Sequence, residues 1–75
     1  MGDRLPQLKP QQLLRALERL GFLVRRQTGS HIILRHPVSR RIAVVPNHTQ
    51  DLKRGLLFGI LKMADIPPEE LLKVL

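Results

Sequence analysis

Two short turns set between runs of β-forming residues constrain this chain more than any other feature of its sequence. Phe22 to Gln27, His31 to His36 and Arg40 to Val45 are three such runs, joined by Thr28-Gly29-Ser30 and Pro37-Val38-Ser39. Turns this short leave no room for the crossover that parallel strands require, so the three strands form an antiparallel meander. Pro46 closes the third strand. A meander of this size is not stable with both faces in water, and the segments flanking it must cover one face.

Both flanks read as helices. Pro10 suits a first helical turn, where its missing N–H costs nothing. Leu13, Leu14, Leu17 and Leu20 then recur at helical spacing, with Arg15, Glu18 and Arg19 facing water. Gly21 ends the helix as a left-handed cap, and Phe22 is placed to fold back on the last turn. After the strands comes a polar loop, Asn47-His48-Thr49-Gln50, with Asp51 the expected N-cap of a second helix. Leu56, Leu57, Ile60, Leu61 and Ala64 supply its apolar stripe; Asp65-Ile66-Pro67-Pro68 breaks it, and a short last helix starts at Pro68. Met1 to Lys9 reads as a loose leader. The expected class is therefore α+β, in the order α-β-β-β-α with helices packed on one face and a short C-terminal helix, all in a single domain, 1–75.

Charge then narrows the partners. Thirteen Lys and Arg against six Asp and Glu give a net charge of +7, which favours a polyanion. Between Glu18 and Asp51 there is no carboxylate, yet that stretch holds Arg19, Arg25, Arg26, Arg35, Arg40 and Arg41. With two phenylalanines and no Tyr or Trp, base stacking on aromatic platforms is disfavoured. Backbone recognition by cations remains. The absence of cysteine excludes disulfides, thiolate metal sites and thiol catalysis. No apolar run approaches the ~20 residues of a membrane span, and the first residues lack a secretory apolar segment, so a cytoplasmic protein is expected.

Gly29-Ser30-His31, Arg35-His36-Pro37, Val45-Pro46-Asn47-His48, Leu52-Lys53-Arg54-Gly55 and Ile60-Leu61-Lys62 form an ordered set that resembles the HicA toxins, a group of mRNA interferases. The resemblance runs from about Lys9 to Ile66, with the core at 10–66. It implies a fold similar to a double-stranded RNA-binding domain, a ribosome-independent endoribonuclease that cleaves mRNA in a type II toxin–antitoxin system, and neutralisation by a HicB-like antitoxin. It also implies that His31, in Gly-Ser-His, is the catalytic histidine. One stretch departs from the pattern. Where the family usually has a Thr-Leu-Arg-type run after Lys-x-Gly, this chain has Leu56-Leu57-Phe58-Gly59, which weakens RNA contact there and points to a larger apolar surface for a protein partner.

The chemistry agrees with that resemblance. RNA carries its own nucleophile, the 2′-hydroxyl, so cleavage needs only a base, an acid and cations on the phosphate. Histidine serves as base or acid near neutral pH. Gly29 lets backbone approach a phosphate, and Ser30 is a turn residue or a phosphate hydrogen-bond donor. Arg25, Arg26, Arg35, Arg40 and Arg41 are the candidate phosphate clamps, with Arg26, Arg35 and Arg41 expected to bind RNA. His36 reads as a turn residue capping a carbonyl. His48 is a second acid or phosphate ligand, or a loop residue. The three histidines, spaced by five and twelve, fit no zinc pattern, and the centre lacks the clustered carboxylates of two-metal nucleases; no metal or other cofactor is expected. The alternatives are a non-catalytic double-stranded RNA-binding module and a decayed toxin kept for its partner.

Overall fold

The computed structural model describes residues 5–75; Met1 to Arg4, the first part of the expected leader, lie outside the described residues. The elements are α1 (Pro10–Arg19), β1 (Leu23–Gln27), β2 (His31–Arg35), β3 (Ile42–Pro46), α2 (Arg54–Met63) and α3 (Pro68–Leu72). The strands form one antiparallel sheet in the order β1-β2-β3, so the α+β class and the α-β-β-β-α order stand.

Alternation along β2 and β3 assigns the two faces of the sheet. Ile32, Leu34, Ala43 and Val45 are buried against the helices, while His31, Ile33, Arg35, Ile42, Val44 and Pro46 belong to the opposite, open face. Leu13, Ala16 and Leu17 of α1 and Leu57, Ile60 and Leu61 of α2 complete a single apolar core with them.

Both long helices end in a Schellman motif. The Phe22 N–H donates to Leu17 O (3.0 Å) and the Gly21 N–H to Glu18 O (3.0 Å), with Gly21 at φ 100°. At the end of α2 the Ile66 N–H donates to Leu61 O (2.9 Å) and the Asp65 N–H to Lys62 O (3.1 Å). Here Asp65, at φ 56°, occupies the position that glycine usually takes.

Two expectations are corrected. Residues 5–9 are not a loose leader: Leu5 and Leu8 lie in the core, the Leu52 N–H donates to Leu8 O (2.7 Å), and the Arg54 guanidinium donates to Leu5 O (2.8 Å). Nor does Asp51 cap α2. That helix starts at Arg54 with Lys53 in the N-cap position and no side-chain cap; the Asp51 carboxylate instead accepts from Lys9 Nζ (3.1 Å). Among the described residues, no helix is long and apolar enough to cross a membrane.

Candidate functional site

His31 is the first residue of β2, and its position is fixed by a compact set of hydrogen bonds. Thr28 Oγ1 accepts from the His31 N–H (3.0 Å) and faces the His31 carbonyl (3.2 Å), which also accepts from the Thr28 N–H (2.8 Å). The tip, Gly29-Ser30, is tied to the end of β3 by Asn47: its N–H donates to Ser30 O (2.9 Å) and its Nδ2 to Gly29 O (3.3 Å). The backbone beneath the imidazole is therefore pinned from two strands, while the ring itself is exposed.

The ring has one hydrogen-bond neighbour, Ser30 Oγ, at 3.2 Å from Nδ1. When Nδ1 carries the proton it donates to the hydroxyl, and Nε2 is left with a lone pair to accept a proton. With the opposite tautomer the hydroxyl donates to Nδ1 and Nε2–H becomes a donor. Nε2 is thus the nitrogen left free to act, as a base in the neutral ring and as an acid in the imidazolium.

Gly29 contributes space rather than a special backbone. It does not adopt the left-handed conformation, and a Cβ built there meets nothing within 4 Å. Nothing in the fold demands glycine at this position, so its effect is to leave the approach to the turn open. The amides of Gly29 and Ser30 donate to no protein acceptor among the described residues.

Beside His31 lies a groove of about 440 Å³, lined by Val44 and Pro46 of the open face and by Leu56, Gly59, Ile60 and Met63 of α2. Leu56, expected within the buried stripe, is 46% exposed and faces this groove, as does Met63. Phe58 is half-buried against the core instead, with the Arg54 guanidinium 5.2 Å from its ring centroid.

The other histidines have structural partners. His36 Nδ1 accepts from the Val38 and Ser39 amides (3.2 Å each), so it secures its turn as an acceptor of N–H groups and not by capping a carbonyl. His48 Nδ1 accepts from the Gln50 N–H (3.2 Å), a loop contact. Among the described residues, no group of three or more His, Asp or Glu side chains comes close enough to share a metal ion.

The arginines divide. Arg41 is engaged by Asp65, through its carboxylate at 3.4 Å and its carbonyl at 3.1 Å. Arg26 pairs opposite Ile33 of the open face, directly after a register shift between Val24 and Arg26 that leaves Arg25 as the extra residue. Arg35 ends β2 on the same face as His31, in company with Arg25 and Arg40. Arg25 and Arg40 were not singled out ahead of the others by sequence; the bulge that turns Arg25 toward Arg35 has no local sequence signature.

This geometry coincides with a family-level match. Residues 10–66 match the family model described as HicA toxin of bacterial toxin–antitoxin. The chain belongs to the HicA toxin family. It is a toxin of a toxin–antitoxin system, and the family implies a cognate antitoxin partner and an RNA substrate. No curated protein matches the chain. The matched segment of this HicA protein begins at the first residue of α1 and ends at Ile66, whose N–H completes the α2 cap.

Proposed function

We propose that this HicA toxin is a metal-independent endoribonuclease that cleaves mRNA with His31 as general base or acid. The observation that carries the reading is the pairing of a rigidly held backbone with an exposed imidazole, whose Nδ1 is oriented by Ser30 Oγ. In the first step His31 Nε2 takes the proton of a 2′-hydroxyl, the freed oxygen attacks the adjacent phosphorus, and the 5′-oxygen of the next nucleotide leaves with a proton from water. The products are a 2′,3′-cyclic phosphate and a 5′-hydroxyl. A base held in place within reach of the nucleophile contributes about 10²–10⁴-fold.

Gly29 and Ser30 supply the approach and two amide donors for the phosphate, and Arg26 and Arg35 supply cations on the same face. Arg41 and His48 bind RNA in this scheme only by giving up or sharing their present contacts with Asp65 and Gln50. A HicB-like antitoxin would inhibit by covering the apolar groove at Leu56 and Met63, which opens directly beside His31. The non-catalytic double-stranded RNA-binding module is less well supported: of the two cations opening α2, Arg54 is engaged by Leu5 and Phe58.

Incubating the purified protein with a single-stranded transcript in EDTA tests the proposal. Cleavage by the wild type, lost in His31→Ala while RNA binding persists, is the expected result. Undiminished cleavage in that variant overturns the assignment of His31, and cleavage only with added divalent metal overturns the mechanism.

A further inference from the structure

At the far end of β2 from His31, Arg25, Arg35 and Arg40 line one cleft of about 210 Å³ together with Leu23 and Pro37. Among the described residues, none of these three arginines has a carboxylate partner; the ion pairs are Lys9–Asp51 and Arg41–Asp65. Three like charges around one small cleft repel one another, and an anion between them reverses the sign of that interaction. Nothing among the described residues supplies one.

Two backbone irregularities bring the arginines together. The register shift in β1 adds Arg25 to the strand as a bulged residue, and bulges re-aim side chains in this way. Arg40 sits at φ 64°, in the left-handed region that side-chain-bearing residues seldom adopt. Glycine would occupy that position without strain. An arginine kept there, next to a second irregularity that also delivers an arginine, points to a use for the guanidinium groups rather than for the turn.

We infer that the Arg25–Arg35–Arg40 cleft is a second phosphate subsite, which grips a backbone phosphodiester of the same RNA strand that His31 cleaves. The inference rests on the RNA-cleaving reading for its substrate but on different residues for its site. His31 and Arg35 are the two ends of β2 on one face, four residues apart, which is about 13 Å at strand rise. The subsite therefore holds a phosphodiester displaced along the strand from the scissile one and sets where the RNA lies relative to the histidine. Leu23 and Pro37 give it an apolar flank against which a ribose packs.

The test uses a mixed-sequence single-stranded RNA oligonucleotide with 2′-O-methyl riboses, which binds but cannot be cut. Arg35→Gln and Arg25→Gln each weaken binding, by about tenfold for a lost charge-assisted contact, and losing the subsite lowers the salt slope by about 0.7. Arg15→Gln, an equal charge change on α1, leaves both unchanged. Arg40→Gly keeps or raises the melting temperature while weakening binding, a split that a purely structural arginine does not give. Single neutral methylphosphonates along the strand weaken wild-type binding at a position away from the cleavage point, and that penalty disappears in Arg35→Gln. Equal effects from Arg15→Gln and the cleft variants, or one interference profile in wild type and Arg35→Gln, overturn the subsite. Loss of cleavage in His31→Ala does not bear on these binding results, so failure of the catalytic assignment and failure of the subsite are separately visible.

Discussion

At the β2–β3 turn, His36 is consumed by structure: its Nδ1 accepts two amides, its ring meets Phe22 edge-on with centroids 5.4 Å apart, and a Cβ at Gly21 would come within 2.7 Å of its Nε2. At the β1–β2 turn, the His31 ring has a single hydrogen-bond neighbour, and the backbone around it is held by Thr28 and Asn47 instead. The same residue type flanks both hairpins. One imidazole stabilises its turn, whereas the other is presented by a turn that other residues stabilise. Availability of the ring, with the scaffold supplied from elsewhere, is what distinguishes a candidate reactive group from a structural one.

Four substitutions would break or sharpen this contrast. The largest effect is expected from His31→Ala, which lowers RNA cleavage by about 10²–10⁴-fold with no change in thermal unfolding; an equal loss in His36→Ala at full folding would erase the distinction between the rings. Gly21→Ala comes next. Its left-handed φ costs a side chain about 1–2 kcal/mol, and the new methyl also displaces His36, so chemical denaturation should show at least that loss. His36→Ala leaves two amides without their acceptor and should cost about 1 kcal/mol, read in the same denaturation series, with cleavage by the folded fraction retained. Gly29→Ala should change stability by less than about 0.5 kcal/mol, because its Cβ meets open space, yet reduce cleavage by narrowing the approach to His31. A stability loss there with full activity would move Gly29 from the site to the scaffold.

What sequence could reveal was local. Gly21 and Phe22 announce the end of α1 because a Schellman motif is encoded within a few residues, and the three strands follow from the turns between them. Leu5 and Leu8 gave no such signal. Two leucines around Pro6-Gln7 show no periodicity, and the polar and apolar groups that receive them, Leu52 and Arg54, lie in the second half of the chain. The site divides in the same way. Gly29-Ser30-His31 is contiguous and could be read directly, whereas six arginines between Glu18 and Asp51 look alike until a bulge and a positive φ sort them. Sequence favoured Arg26, Arg35 and Arg41; the structure ties Arg41 to Asp65 and groups Arg25 and Arg40 with Arg35.

The docking of residues 5–9 has a consequence for the order in which a newly made chain becomes competent. The Leu5 carbonyl waits for Arg54, 49 residues later, and Arg19 on α1 donates to the carbonyl of Val74, 55 residues later (2.7 Å). Leu71 of α3 is fully buried in the same core. A chain ending after β3 has α1 on its meander but lacks Leu57, Ile60 and Leu61 of α2, which complete the core. Closure of the core therefore waits until α2 and α3 are present.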